Sequence, residues 1–360
     1  MGVYKNEFNS CGLNVATHRV NSFHMQAAVK NNQKPLSEKT VVITGASSGA
    51  GRAAAIRFAA QRCNLVLASR NTAVLRSVAE DCEALGATVL VVPTDVTDSM
   101  AVEELARRAA EFRTGIDVWI NNAGVLAVGA LNDTPIAVHQ QVIKTNLMGY
   151  MHGAYAVIPW FKQQGYGVLI NNISVGGFLP VAYGTSYSAS KFGLRGFFEA
   201  LQSELSPYTG IHVCNMYPAF LDSPGIQHAA NYTGVHVKPA PPVFDPMKLA
   251  DKMVQLAQNP RSYTSVDPAT PFFKIAYALV PRLTRRIMEK VMRTYFNHAP
   301  AIEASNGNVF AAVSYGNSVH GGWNNAADVK DRKRSMVKGL AIAGILTTAV
   351  LVLKARKAFL

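Results

Sequence analysis

Thr40-Val41-Val42-Ile43-Thr44-Gly45-Ala46-Ser47-Ser48-Gly49-Ala50-Gly51 is the stretch that decides the architecture of this chain. Its first five residues are apolar or β-branched, the types that fit a half- or fully buried strand. Glycines follow, and then residues 53–62 continue at helical spacing. Glycine lets the backbone turn tightly and lets a pyrophosphate come close. The helix behind it offers unpaired N–H groups and the positive end of its dipole. An ordinary tight turn would use glycine as well. The position between a strand and a helix is what gives this loop its meaning.

The same alternation extends in both directions from this unit. Apolar runs at 64–68, 88–92, 117–120, 167–173 and 211–216 read as strands. Residues 72–85, 99–112, 134–164 and 186–205 read as helices, with Gly86 as a stop after the second. Thr134-Pro135 reads as an N-cap followed by proline at the first helical position. Strands that are almost continuously apolar and separated by helices imply a parallel sheet covered on both faces. Right-handed crossovers make that sheet doubly wound, with ligands bound outside the carboxyl ends of its strands. No repeat of solenoid length is present.

The second strand ends in Leu67-Ala68-Ser69-Arg70. An NAD-selective site carries an acid there for the ribose 2′-hydroxyl. None is present, and Arg70 is suited to pair with a 2′-phosphate. A surface arginine would look the same, but the missing acid points in the same direction. NADP(H) is therefore the expected cofactor.

Several motifs combine with this loop: Asn121-Asn122-Ala123-Gly124 after the fourth strand, Ser174 after the fifth, and Tyr187-Ser188-Ala189-Ser190-Lys191. Together with T-G-x-x-x-G-x-G at 44–51 they resemble the short-chain dehydrogenase/reductase family over about residues 39–223. The resemblance implies a Rossmann-type fold and NADP(H)-dependent interconversion of an alcohol and a carbonyl. It assigns Thr44, Gly45, Ser47, Ser48, Gly49 and Gly51 to the cofactor loop and matches Asp95 to an adenine-contacting aspartate. It places Asn122, Ala123 and Gly124 beside the cofactor and matches Asn146 to the family's helix asparagine. Pro218-Ala219 stands where the family usually has Pro-Gly, and Ser223 where it usually has Thr; both lie on the nicotinamide side.

The chemistry can be argued beside the resemblance. A carbonyl that receives hydride develops negative charge on oxygen and needs a proton. Tyr187 can supply it if its pKa falls from about 10 towards neutrality. Lys191, four residues on, shares its helix face; its ammonium stabilises the phenolate and should also hold the nicotinamide ribose. Ser174 can hydrogen-bond the substrate oxygen, and Asn146 should kink its helix around a water that links Lys191 to solvent. The expected catalytic set is Asn146, Ser174, Tyr187 and Lys191. Each has a plainer reading alone, and Tyr183 is close enough to be mistaken for the acid; the combination is what carries the assignment.

Four regions are expected: a polar extension (1–38), a Rossmann-type catalytic domain (39–268), a C-terminal extension with a basic amphipathic helix and an irregular arm (269–335), and an apolar tail (336–360). Residues 222–242 read as a loop or lid and 245–258 as a helix; 262–266 fit a last strand. Residues 272–296 read as one helix with Leu283, Ile287, Val291 and Tyr295 on a single face. That face suits packing on the domain or on a second subunit, so a homodimer is open; lying on a membrane is the sharper alternative. Residues 300–327 are rich in Asn, Gly and Ala and suggest no function. Phe178, Leu179, Phe220, Phe272 and Phe273 point to an apolar substrate.

The net charge is +13. Residues 330–360 hold eight basic residues and one acid, so over half of the excess flanks the uncharged run 339–353. That run spans roughly 22 Å as a helix, short of the roughly 30 Å hydrocarbon core, and flanking lysines can snorkel to make up the difference. Membrane attachment is therefore expected, with the catalytic domain in the cytoplasm. Charge alone suggests nucleic acid, but no basic-aromatic motif supports it. The four cysteines form no C-x-x-C pair and the histidines show no ligand spacing, so neither a disulfide framework nor a metal site is expected. The first 34 residues contain no apolar stretch of signal-peptide length.

Overall fold

The computed structural model describes residues 34–113 and 115–324. Seven parallel strands form the central sheet: β1 (Thr40–Thr44), β2 (Asn64–Ser69), β3 (Thr88–Pro93), β4 (Val118–Asn121), β6 (Gly167–Asn172), β7 (Ile211–Tyr217) and β9 (Tyr263–Ser265). Their order is β3-β2-β1-β4-β6-β7-β9. The order reverses between β1 and β4, which pair in parallel through Val41–Val118, Val42–Trp119 and Ile43–Ile120. A crevice must open at the carboxyl ends of these two strands, because their following segments leave in opposite directions. Two short strands, β5 (Ala127–Gly129) and β8 (Ala230–Tyr232), pair beside it as a second sheet; their three-residue length gives no periodic signal in the sequence.

Helices α1 (Gly49–Ala59), α2 (Thr72–Ala84) and α7 (Pro246–Gln258) cover one face, and α3 (Ser99–Phe112), α5 (Gly149–Gln164) and α6 (Thr185–Glu204) the other. Val41, Ile43, Leu65 and Leu67 point to the first core, while Val42, Val66 and Trp119 point to the second. This is the period-two alternation of a strand buried on both sides. Side-chain caps start the helices where the sequence supplies them: Asn71 accepts from Val74 N–H, Asp98 from Met100 and Ala101 N–H, and Asp245 from Met247 N–H.

Two expectations of continuous helices are corrected. The stretch 134–164 is α4 (Ile136–Ile143), a π-helical turn (Lys144–Met148) and then α5. Pro135 lies at the N-cap with extended ψ, one position before the first helical residue. The second break is at Val280, where Pro281 opens a new helix, so 272–296 is divided between α8 (Ala269–Leu279) and α9 (Pro281–Phe296). Proline has no N–H to donate and its ring clashes with the preceding turn, which ends α8. None of the α9 residues is buried. Leu283 and Val291 remain 39% and 49% exposed, while Ile287 and Tyr295 of the same face are half-buried, so the described residues of the chain cover this face only in part.

Among the described residues no helix is long and apolar enough to cross a membrane. The apolar tail (336–360) and most of the polar extension lie outside the described residues.

Candidate active site

The loop after β1 is shaped by close backbone packing. Gly45 has φ +67°, and a Cβ there would stand 2.7 Å from Ala123 Cα. A Cβ on Gly51 would fall on the Gly45 carbonyl and on Asn122 Nδ2. Only glycine lets the first turn of α1 sit this close to the end of β4. Thr44 and Asn122 tie the two strand ends together. Thr44 Oγ1 donates to Ile120 O (3.2 Å) and accepts from Asn122 N–H (3.0 Å) and Ala123 N–H (3.2 Å). Asn122 Nδ2 donates to Thr44 O and Gly45 O, and its Oδ1 accepts from Asn172 Nδ2 at 2.9 Å. Both side chains thus brace the two strand ends that flank the crevice, and Asn122, Ala123 and Gly124 line it.

A buried amide ladder continues across the sheet. Trp119 Nε1 donates to Asn121 Oδ1, Asn121 Nδ2 to Asn171 Oδ1 (3.0 Å), and Asn171 Nδ2 to Asn215 Oδ1 (3.1 Å). Asn121 thereby ties β4 to β6, and its Nδ2 also reaches Tyr150 O. Asn171 and Asn215 were not singled out, because polar residues inside apolar strands show no partner until the register is known.

The crevice leads into a cavity of about 420 Å³. Ser47, Ser48, Gly49, Arg70, Asp95, Asn146, Ser174, Tyr187, Lys191, Pro218 and Ser223 all line it, brought together from seven separate stretches of chain. Ser174 follows β6 with φ +108° and ψ 155°, and its Oγ accepts from Gly176 N–H. Such backbone is rare for a residue with a Cβ and belongs with sites that hold a side chain in a fixed direction. Tyr187 and Lys191 lie one turn apart on α6. Burial pushes the Tyr187 phenol up from its ordinary value, and a hydrogen bond with Ser174 pulls it back down. Lys191 is brought down to about 7 by desolvation. Its Nζ donates to Asn172 O at 3.4 Å and lies 5.3 Å from the Tyr150 ring centroid and 5.6 Å from that of Tyr187.

Asn146 sits in the π turn between α4 and α5 and is fully buried. Its Oδ1 accepts from Val125 N–H and its Nδ2 donates to Val125 O, both at 2.8 Å. A π turn adds a residue to the helical repeat and is often found at functional sites. The expected distortion of the helix at Asn146 is present, and its amide clamps the segment after β4. Asp95 accepts from Thr97 N–H and Oγ1, which fixes its carboxylate at the cavity edge. Ala219 is not among the described non-glycine residues with positive φ, so alanine fits there without strain. Its N–H donates to Asp267 Oδ2 at 2.8 Å. Tyr183 packs its ring against Phe296 and is not among the cavity-lining residues.

The other end of the cavity holds what the sequence did not reveal. Arg70 donates to Asn308 O (2.6 Å) and Val309 O (3.5 Å). Gly49 N–H donates to Ser318 O at 2.9 Å, and Arg52 to Asn317 O at 2.6 Å. The irregular arm (300–324) therefore lies along the cofactor loop. Met288, Val291 and Met292 of α9 line the cavity with Leu179, Phe220 and Phe273. Phe178 is corrected to the core, where its ring packs 4.5 Å from Tyr217. Phe272 contacts Phe273 and is not among the cavity-lining residues.

A family model described as short chain dehydrogenase matches residues 39–232. The chain belongs to the short-chain dehydrogenase family. Relatives of this dehydrogenase include an uncharacterised oxidoreductase of Bacillus subtilis, 27% identical over 88% of this chain and 91% of its own length. Mouse dehydrogenase/reductase SDR family member 7 is 32% identical over 54% of this chain and 59% of its own length. Among solved structures, a short-chain dehydrogenase/reductase from Burkholderia phymatum in complex with NAD aligns at a TM-score of 0.60. It is 25% identical and covers 76% of this chain and all of its own. An alcohol dehydrogenase of Thermococcus sibiricus complexed with 5-hydroxy-NADP has the same fold, with a TM-score of 0.55 over 63% of this chain and 95% of its own, at 24% identity. The chain is an oxidoreductase of this family, and the family binds nicotinamide cofactors.

Proposed function

We propose that this oxidoreductase uses NADP(H) to interconvert an alcohol and a carbonyl on an apolar substrate. The observation that carries the reading is the convergence of Ser174, Tyr187 and Lys191 on a cavity whose outer wall is Leu179, Phe220, Phe273 and the methionines of α9. The residues fit a dinucleotide: a glycine loop at a helix start, a long crevice at the switch between β1 and β4, and, on Asn172 and Asn308 of its lining, buried oxygens without a partner among the described residues. Gly45 to Gly51 would hold the pyrophosphate, Asp95 the adenine, Lys191 the nicotinamide ribose, and Arg70 the 2′-phosphate.

The bound nicotinamide supplies the hydride and, once oxidised, a positive charge. Ser174 Oγ holds the substrate oxygen, and Tyr187 gives it a proton as negative charge develops there. The lysine ammonium stabilises the phenolate that remains, offsetting the effect of burial on Tyr187. Asn146 keeps the segment after β4 in place, so that Lys191 has a fixed wall opposite. The methionines of α9 are unbranched and adaptable, which suits an apolar substrate of irregular shape.

The test is consumption of NADPH and of NADH with a panel of ketones and aldehydes of rising hydrophobicity. NADPH-dependent turnover that improves with hydrophobic size is expected. No turnover with any carbonyl, or a preference for NADH, overturns the corresponding part of the reading.

The basic residues around 339–353 support membrane attachment through the tail, with the catalytic domain on the cytoplasmic side. Fractionation of the full chain against a version ending at Ala327 tests this. Full-length protein that stays in the soluble fraction without detergent overturns it.

A further inference from the structure

The arm that follows α9 looks featureless in sequence, yet its partners are concentrated at one place. His228 shares a hydrogen bond with Tyr315 O (2.9 Å), Trp323 N–H donates to Asp222 Oδ1 (2.8 Å) and Trp323 Nε1 to Ser223 O (3.0 Å). Gln227 donates to Gly321 O at 2.7 Å. These bonds fasten the arm to the loop after β7. A second group fastens it to the cofactor loop: Gly49 N–H to Ser318 O, Arg52 to Asn317 O, and Arg70 to Asn308 O and Val309 O. Val309 is fully buried in a small apolar cluster with Val125, Val138 and Val142. The arm is therefore a wall held by hydrogen bonds to the loops and by one buried side chain.

Two features show which part of a ligand this wall meets. The Arg70 guanidinium lies at the carboxyl end of β2, where a dinucleotide's adenosine ribose is read. The Asn308 carbonyl fixes that guanidinium, Asn308 is one of the residues lining the same cavity, and its side-chain Oδ1 is buried without a partner among the described residues. Burying an amide oxygen without a hydrogen bond is costly, so such an atom calls for a ligand group.

Granted the nicotinamide-cofactor reading above, we propose that residues 305–323 complete the cofactor site, with Asn308 recognising the 2′ position of the adenosine ribose beside Arg70. The Asn308 backbone carbonyl aims the Arg70 fork; its side-chain Nδ2 can donate to a 2′-phosphate, and its Oδ1 can accept from a ribose hydroxyl, since the phosphate has no hydrogen to give it. Two of the five Arg70 donors are held by the arm, which leaves others for a phosphate. Cofactor exchange then requires the arm to lift, because the Gly49 and Arg52 bonds close the same edge.

The experiment is fluorescence titration of the full chain with NADPH and with NADH, in wild type and Asn308→Asp. The substitution keeps the size of the side chain and adds a negative charge. The Kd for NADPH should rise at least tenfold and that for NADH less than threefold. An unchanged ratio of the two Kd values overturns the assignment of Asn308. Hydrogen exchange of the wild type provides a readout that does not depend on the variant folding. Uptake across 305–323 should fall when NADPH is added; protection confined to the glycine loop overturns the role of the arm. If wild type binds neither cofactor, the cofactor reading itself fails, an outcome distinct from binding with an unchanged ratio.

Discussion

The two ends of the cavity are built in opposite ways. At the catalytic end, Ser174 just after β6 and Tyr187 and Lys191 on α6 lie within eighteen residues of one another. At the adenosine end, Arg70 at the tip of β2 meets Asn308, 238 residues further along the chain. One end is rigid because secondary structure carries it. The other is closed by irregular backbone whose hydrogen bonds go to loops. Chemistry needs fixed distances, whereas a cofactor must enter and leave, and local opening is easiest where few apolar contacts hold a segment.

The largest test of this contrast is Tyr187→Phe. It removes the transferable proton and keeps the ring, so kcat should fall roughly a hundredfold or more. NADPH affinity, measured by titration, should stay within about threefold. A comparable loss of affinity would mean that the two ends are not separable.

Arg70→Asp addresses the adenosine end. It replaces a donor to the arm and a partner for phosphate with a carboxylate that repels both Asn308 O and a 2′-phosphate. The ratio of NADPH to NADH Kd should move at least tenfold towards NADH, with kcat at saturating NADH close to that of wild type. A large fall in that kcat would show that the ends communicate.

The smallest effect concerns Lys191 in the cofactor-free protein. Its folded value of about 7 lies below the ordinary 10.5. Between those values the unfolded chain binds more protons than the folded one, so this group makes stability rise with pH across that window. Below about pH 7 both states are protonated and the burial penalty is fully present. Lys191→Met should flatten the rise, a difference of a few degrees in melting temperature between pH 7 and 10. Equal slopes in wild type and variant would show that the lysine is better solvated than its burial indicates.

Much of the catalytic end was legible because strands and helices repeat at fixed periods and their loops carry distinctive residues. The Gly45–Gly51 turn, the Tyr187–Lys191 spacing and the position of Ser174 after a strand each follow from local order. The π turn was only half legible: Asn146 marks the place, but 134–164 has the periodicity of one helix, and a single extra residue in the repeat is invisible in it. The break at Pro281 was within reach of the sequence, since proline ends a helix by local sterics alone. The apolar face that runs on through α9 masked it.

By itself the sequence determined the doubly wound sheet and the family and singled out the candidate catalytic residues, because each rests on hydrogen bonding and side-chain geometry within a few positions. Only the tertiary structure decided how the cavity is closed. Residues 300–324 form no periodic element, and their backbone groups are satisfied by Gly49, Arg52, Arg70 and Gln227. Partners so distant in the chain leave no local pattern, so Asn308 could be found beside Arg70 only once the chain had folded.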